Sequence, residues 1–414
     1  MRNKRTILLS IILICVFLCS IRAEGMDIKA YLQTTDNDSV KLNLAYQYYD
    51  NGEYEKALPI FKEIADKGNA IAQYGLGCCY YEGAGVKTDY VEAVKWFTRA
   101  ASQGDPDAQY NLAQCYMEGK GVEKDYSQAR KWYIKAADQG DEMAQYNIGY
   151  IYYSGLGVLR DFNKATEWYR KAAEKGFPQA LHNLGVCYQF GQGVEKDYYK
   201  AFAYFKEAAD KGFPESIYNV GVYYFNGNGT EKDYKKALEY FIKASELGIS
   251  YAQIFVGAIY YDGLGVERNY EEAEKWFSLS AKNGNAFGLY NIALMYYKGK
   301  GKPQNYTKAF ELIKESYDKS KNLLIAGKLG ECYYYGNGVD KDYNEAFDYL
   351  SKSAESSNCE SSVLTLLSKC YRFGRGVKID IVKADELVKR AAEANDDDAI
   401  AMINAMQDVK SNLR

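Results

Sequence analysis

Apolar and small residues recur at helical spacing along this 414-residue chain, in units that repeat every 36 to 38 residues. The unit from Asp105 to Gly140 shows the pattern most clearly. Its first half predicts a helix over 108–118 and its second half a helix over 126–138, and a glycine-rich loop at 119–122 joins them. A fixed period of this length is typical of a solenoid, in which each helix pair buries its apolar face only against its neighbours.

A Gly-x-Gly pair marks the loop of every unit. The first glycines of successive pairs are 36 residues apart six times, then 37 and 38. Glycine permits the positive φ angles and the close backbone approach that such a loop needs, so nine copies between helices favour a geometric role over phosphate binding. The predicted structural loop residues are Gly83, Gly85, Gly119, Gly121, Gly155, Gly157, Gly191, Gly193, Gly227, Gly229, Gly263, Gly265, Gly299, Gly301, Gly336, Gly338, Gly374 and Gly376.

Both helices of a unit carry small residues that predict close helix packing. The first helix places a large apolar residue, a small residue and a tyrosine on one face, as in Leu112, Ala113 and Tyr116. The second helix places an alanine three residues before an aromatic or leucine side chain, as in Ala129 and Trp132. We therefore expect a small-residue seam with an aromatic anchor.

These residues resemble the Sel-1-like repeat, a longer relative of the tetratricopeptide repeat. The shared pattern here is A-x-x-N-L-x-x-x-Y-x-x-G-x-G-V-x-x-D-Y-x-x-A-x-x-W, and it recurs nine times in register over residues 69–395. The resemblance implies an all-α fold, a right-handed superhelical α-solenoid of antiparallel helix pairs that binds other proteins. It does not identify the partner.

The remaining segments complete the predicted organisation as one elongated domain of about twenty-one helices. A unit with a shortened loop precedes the nine repeats, and an acidic Asp396–Asp398 run begins a last helix that covers the end of the stack. The predicted segments are a signal peptide (1–23), a lead-in (24–38), a tetratricopeptide-like N-terminal repeat (39–68), nine Sel-1-like repeats (69–395) and a C-terminal capping helix and tail (396–414).

The first 23 residues read as a secretory signal. A basic stretch precedes the apolar run Ile7–Ile21, and Ile21 and Ala23 fit a cleavage site. We expect export to a periplasmic, extracellular or ER-luminal location, and the alternative is an uncleaved leader that anchors the chain. Cleavage would remove four basic residues and change the formal charge from −3 to −7. An acidic mature chain argues against nucleic-acid binding, and the leader is the only predicted membrane contact.

Cysteines and the single histidine predict no metal site and no cofactor. Seven cysteines lie outside the leader, and five of them occupy one apolar repeat position four residues before the loop glycine: Cys79, Cys115, Cys187, Cys332 and Cys370. We expect mostly buried free thiols, and a Cys332–Cys370 bridge between stacked repeats is the alternative. His182 replaces a recurring tyrosine, which favours a structural role.

No nucleophile–base pair or catalytic motif stands out, so the sequence predicts a protein that is not an enzyme. The recurring acids before the second helices are explained as N-caps: Asp89, Asp125, Asp161, Asp197, Asp233, Asp342 and Asp380.

Two recurring sets are candidates for ligand contact. Asparagines eight residues before the loop glycine could hold a peptide backbone in a groove lined by first helices, because an amide both donates and accepts hydrogen bonds. The alternative is that each amide fixes its own inter-repeat junction. These residues are Asn111, Asn147, Asn183, Asn219 and Asn291. Tyrosines two residues before the loop glycine either reach the same groove or pack half-buried: Tyr81, Tyr153, Tyr261 and Tyr297.

The sequence thus predicts an exported, non-catalytic scaffold or adaptor that binds a protein or peptide in its concave groove. Two alternatives remain open. One is a regulatory subunit of an envelope or ER complex, held in the membrane by its leader. The other is a cell-wall-related enzyme acting on a small molecule, as proposed for some proteins of the family that the chain resembles.

Overall fold

The computed structural model describes residues 38–412, and these form 21 α-helices and no strand. The predictions for the leader and for 24–37 concern residues outside this range. The helices divide into two compact units, the first ending at Phe213 and the second beginning at Pro214. No helix in the described range is long and apolar enough to cross a membrane.

Ten helices form the first unit. The first two, joined by the short turn 51–53, correspond to the predicted tetratricopeptide-like repeat, and the other eight form four full repeats. They are α1 (Asp38–Asp50), α2 (Tyr54–Asp66), α3 (Ala70–Glu82), α4 (Tyr90–Ser102), α5 (Pro106–Glu118), α6 (Tyr126–Asp138), α7 (Glu142–Ser154), α8 (Phe162–Glu174), α9 (Pro178–Phe190) and α10 (Tyr198–Asp210).

Eleven helices form the second unit, five pairs and a final helix. They are α11 (Pro214–Asn226), α12 (Tyr234–Glu246), α13 (Ser250–Asp262), α14 (Tyr270–Lys282), α15 (Ala286–Lys298), α16 (Tyr306–Ser320), α17 (Leu323–Tyr335), α18 (Tyr343–Ala354), α19 (Ser361–Phe373), α20 (Ile381–Glu393) and α21 (Asp397–Asn412). Within each unit, every helix packs against the next one along the chain. The predicted all-α solenoid of helix pairs is confirmed.

Local signals fix where the helices start and stop. Asp125 accepts hydrogen bonds from the backbone N–H groups of Ser127 and Gln128 at the start of α6, and the other predicted acids cap their helices in the same way. At the end of α5, Gly119 adopts φ 76° and its N–H bonds back to the Cys115 carbonyl. The predicted N-caps and the positive φ angles of the loop glycines are confirmed.

The small-residue seam exists, but a different aromatic side chain fills it. A Cβ built on Gly77 would lie 2.6 Å from the ring of Phe97, which is one residue beyond the predicted anchor Trp96. Gly149 meets Tyr169 at the same distance. The side chains at this position are among the largest fully buried ones, including Phe97, Tyr133, Tyr169, Phe205, Phe241 and Phe277. The ring therefore occupies the space that a first-helix side chain would otherwise fill.

Candidate protein-binding surface

Asparagine side chains connect successive first helices in the first unit. Asn111 on α5 donates through Nδ2 to the Tyr74 hydroxyl on α3 at 3.4 Å, and Asn147 on α7 repeats this contact with Tyr110 on α5 at 3.4 Å. The Asn183 side chain on α9 is close enough to the Tyr146 hydroxyl on α7 to oppose part of the rise in the pKa of that hydroxyl. The three half-buried amides thus belong to one repeated arrangement, which we call the Asn–Tyr ladder, defined by Tyr74–Asn111, Tyr110–Asn147 and Tyr146–Asn183.

Burial raises the pKa of two ladder tyrosines above its ordinary value. At the Tyr146 hydroxyl, the nearby Asn183 amide opposes part of that rise. Burial likewise raises the pKa of Tyr74. These hydroxyls therefore remain neutral at physiological pH and can accept a hydrogen bond from an amide while keeping a proton to donate.

The two other predicted asparagines lie in the second unit. Asn219 lies half-buried on α11. Asn291 on α15 donates through Nδ2 to the Phe287 carbonyl of its own helix at 2.8 Å. The preceding repeat carries Ile254 where the ladder has a tyrosine, so Asn291 has no hydroxyl at that position and bonds locally instead.

The four predicted tyrosines are half-buried and pack at repeat junctions. In three of the four, the hydroxyl forms a hydrogen bond with the middle residue of the next Gly-x-Gly loop. Lys120 donates to Tyr81 at 3.1 Å, Tyr153 donates to Gln192 at 2.9 Å, and Asn337 donates to Tyr297 at 2.7 Å. Each ring also lies edge-on to the first residue of the following second helix, as Tyr81 does to Tyr90 at 5.1 Å.

The junctions at Tyr297 and Tyr261 differ in the hydrogen bonds of the tyrosine hydroxyl. The Tyr297 hydroxyl also donates to Glu331 at 2.8 Å, and burial together with this nearby carboxylate raises its pKa. Lys328 lies 3.9 Å from the centre of the same ring and pairs with Glu331. The Tyr261 hydroxyl is buried without a hydrogen-bond partner in the described part of the chain, and Lys300 lies 5.8 Å from its ring centre.

A set of buried glutamines was missed by the sequence reasoning. Gln109 is 4% exposed, donates to the Ala101 carbonyl at 3.2 Å and accepts from Gln139 at 2.9 Å. Gln73 makes the equivalent bonds to Ala65 and Gln103. The recurring Ala-Gln-Tyr triplet in the first helices could have identified these glutamines. A buried amide that recurs between core residues needs hydrogen-bond partners.

Thiols and the histidine take structural positions. All seven described cysteines are free, and the five at the recurring position are buried. Burial raises the pKa of Cys115 and of Cys187 to about 12. His182 packs against the rings of Phe205 and Phe213 at 5.4 and 5.1 Å. Within 38–412, no group of three or more His, Cys, Asp or Glu residues is placed to hold a metal ion.

Comparison with known families decides the identity of the repeat. The family model described as Sel1 repeat matches nine consecutive segments: 70–105, 106–141, 142–177, 178–213, 214–249, 250–285, 286–320, 327–358 and 362–396. The chain belongs to the Sel1-repeat family. The predicted resemblance to the Sel-1-like repeat is therefore confirmed, and nine segments carry it.

Solved structures agree with this assignment. The Sel1-repeat chain is similar to a protective antigen of uropathogenic Escherichia coli strains with an SLR fold, at 35% identity and a TM-score of 0.76, over 86% of this chain and 76% of that one. It is also similar to a Sel1-repeat protein of Oxalobacter formigenes, at 32% identity and a TM-score of 0.53, over 58% of this chain and 96% of that one. No curated protein matches the chain.

Proposed function

We propose that this Sel1-repeat protein is a non-catalytic scaffold that binds a protein through an extended peptide segment lying along the Asn–Tyr ladder. Membership in the Sel1-repeat family suggests in general that the chain is a scaffold for protein–protein interaction. The observation that supports the finer proposal is the shared arrangement of Asn111, Asn147 and Asn183, half-buried amides at one position of three successive first helices.

The hydrogen bonds of Asn111 and Asn147 engage the Nδ2 groups at 3.4 Å, which is long for a hydrogen bond. Such a long hydrogen bond is weak, so it orients the amide but costs little to break. It leaves Oδ1 as an acceptor for a backbone N–H. When a peptide binds, Nδ2 can turn to a peptide carbonyl. A row of such amides recognises the backbone, and the neighbouring side chains supply selectivity.

Residues around the amides fit a peptide of mixed polarity. Tyr150 on α7 is 41% exposed and lies three residues beyond Asn147, so the two share a helix face. Gln114 occupies the same position relative to Asn111 and is half-buried. An exposed tyrosine next to hydrogen-bonding amides is typical of surfaces that bind proteins.

We further propose that the chain acts outside the cytoplasm. The basic and apolar leader supports export, and so does the similarity to a protein described as a protective antigen. An uncleaved leader would place the same scaffold at a membrane, as a subunit held next to its partner. Determining the N-terminal residue of the protein recovered from its host separates the two: Glu24 supports cleavage, and Met1 supports anchoring.

The binding proposal is tested with peptides selected from a random displayed library by the wild-type protein. Binding of the selected peptides is then compared between the wild type and an Asn111→Ala/Asn147→Ala/Asn183→Ala variant by calorimetry. We expect the triple variant to lose about tenfold or more in affinity, since two or three backbone hydrogen bonds at about 1 kcal/mol each are removed.

Asn163→Ala serves as the matched control, because Asn163 is an exposed residue near the start of α8 and outside the ladder. It is expected to bind like the wild type. Circular dichroism confirms that both variants remain helical. Equal affinity of the folded triple variant and the wild type would assign the amides to inter-repeat packing alone.

A further inference from the structure

Four apolar side chains are exposed together where α19 connects to α20. Phe373 is 57% exposed, Ile379 65% and Val382 82%, and Ile381 is exposed beside them. Ile379 lies directly against Gly374, the residue that follows Phe373, because a Cβ on this glycine would be 3.1 Å from Ile379 Cγ1. We call these four residues the ninth-repeat patch. Ile381 and Val382 are the first two residues of α20, so the patch includes both the loop and the helix start.

The repeat fold does not require apolar residues at three of these four positions. The position of Phe373 is Glu118 in the second Sel1 repeat, the position of Ile379 is Lys124, and the position of Val382 is Ser127. Each of these polar residues lies in a loop and helix start of the same design. A cluster of exposed apolar side chains at positions where the fold accepts polar ones is a feature that indicates a binding surface.

Positive charge surrounds the patch. Lys378 and Lys383 are exposed, and the Arg375 guanidinium lies 5.2 Å from the centre of the Phe373 ring. Asp380 is the one acidic residue within 372–383. It caps α20 by accepting from the Lys383 N–H at 2.9 Å. The full chain carries a formal charge of −3, so this basic and apolar segment stands out against an acidic protein.

We propose that the ninth-repeat patch binds the surface of a lipid bilayer that contains anionic lipids. Aromatic and branched apolar side chains partition into the interface between headgroups and acyl chains, and lysine and arginine beside them are attracted to anionic headgroups. A second copy of the chain fits less well. A symmetric contact would bring the same basic residues of two chains together, and their repulsion would oppose it. The inference does not depend on the Asn–Tyr ladder, which lies in the other unit.

The test measures hydrogen exchange of the full-length protein with vesicles of phosphatidylcholine alone and of phosphatidylcholine with an equal part of phosphatidylglycerol. Exchange reports on each segment separately, so binding through the N-terminal leader is distinguished from binding through the patch. We expect amides within 372–383 to exchange more slowly only with the anionic vesicles. Co-flotation of the protein with the same vesicles gives the bound fraction.

The variant Phe373→Glu/Ile379→Lys/Val382→Ser introduces the residues that the second repeat carries at these positions, so the fold is expected to tolerate it. It should lose the protection of 372–383 and reduce patch-dependent partitioning by roughly tenfold or more. The control Phe190→Glu/Tyr199→Ser changes exposed aromatic residues at the matching positions of the fourth repeat and should keep the protection.

Two results would overturn the proposal. One is unchanged exchange at 372–383 with both kinds of vesicle, and the other is equal protection by neutral and anionic vesicles.

Discussion

Single side chains connect the repeats of this protein through polar contacts that recur at constant sequence offsets. Asn111 and Asn147 each reach a tyrosine 37 residues earlier, and Gln73 and Gln109 each accept from a glutamine 30 residues later. Where one partner changes, the contact changes with it, as Asn291 shows opposite Ile254. The junctions are thus specified by pairs of residues, one in each neighbouring repeat.

Replacing Gln109 with leucine tests the buried glutamines. The buried Ala101 carbonyl would lose its side-chain donor, and the exposed Gln139 would lose one acceptor. We expect the free energy of unfolding to fall by about 1–3 kcal/mol, measured by urea denaturation. The exposed Gln47 replaced with leucine is the control and should change the stability by less than about 0.5 kcal/mol. Equal effects of the two substitutions would show that Gln109 contributes no more than a surface residue.

The buried thiols predict both reactivity and pH dependence. Burial raises the pKa of Cys115 from 9.0 to about 12, so at pH 8 the thiol is neutral and covered. Iodoacetamide should alkylate the half-buried Cys359 first and Cys115 only after unfolding, as read by mass spectrometry of the peptides. Rapid native alkylation of Cys115 would contradict the packing.

The raised pKa of the Cys115 thiol also makes the stability of the protein depend on pH. Above pH 9 the unfolded chain releases the Cys115 proton while the folded chain retains it up to about pH 12. Stability from this thiol is therefore complete below pH 9 and is lost as the pH rises towards 12. A Cys115→Ala variant should show a shallower loss of stability over this interval in urea melts, and an unchanged slope would contradict the assignment.

At the scale of elements, the second glycine of each loop sets how closely one repeat approaches the next. A Cβ on Gly121 would lie 2.1 Å from the Tyr90 carbonyl oxygen at the start of α4. Gly104, between α4 and α5, also has a positive φ angle but open space around it. Comparing the two positions therefore separates the cost of a positive φ angle from the cost of close backbone approach.

Gly121→Ala and Gly104→Ala form a matched pair of substitutions. Gly104→Ala should cost about 1 kcal/mol, the ordinary penalty of a positive φ angle. Gly121→Ala adds a clash with backbone and should cost about 3 kcal/mol or more. Thermal and urea unfolding of both variants measure the difference, and equal losses would mean that the loop can retreat from Tyr90 at no cost.

Element-scale features were the most predictable from sequence. The Gly-x-Gly period located the loops, and the acids before the second helices located their starts, because both depend on local backbone chemistry. The sequence placed the aromatic anchor at Trp96, but Phe97 fills the seam. Residues 96 and 97 are both aromatic and both buried, and only the packing of the helices decides that Phe97 is the one that lies against Gly77.

The candidate site was predictable in composition but not in arrangement. The recurrence of asparagine identified the residues, whereas their tyrosine partners lie one repeat away and at a different helical position. Likewise, the tyrosines before the loops were candidates for ligand contact, and their hydroxyls meet the loop of the next repeat. Such contacts depend on the stacking of repeats, which sequence spacing within one repeat does not report.

At the scale of the whole molecule, the described helices of each unit pack mainly against their neighbours along the chain. In such an array, stability is approximately a sum of repeat and nearest-neighbour terms. The repeats should therefore be removable one at a time.

Deleting residues 106–141, one complete Sel1 repeat, tests this additivity. Tyr74 and Asn147 would then meet across the new junction and restore a step of the Asn–Tyr ladder. We expect a folded chain with unchanged helicity per residue and a cooperative melt by circular dichroism. Deleting only 106–123, which removes α5 and leaves α6 unpaired, should abolish cooperative unfolding of the first unit. Similar loss of structure in both deletions would contradict a modular array.

Site-specific cross-linking tests whether the first helices of the first unit bind the ligand. p-Benzoylphenylalanine replaces either Tyr150 beside the ladder or Tyr199 at the start of α10, which is 77% exposed, and the protein is irradiated with the peptides that it selects from the displayed library. We expect cross-links from position 150 and none from position 199. Cross-links from position 199 alone would place the binding surface elsewhere.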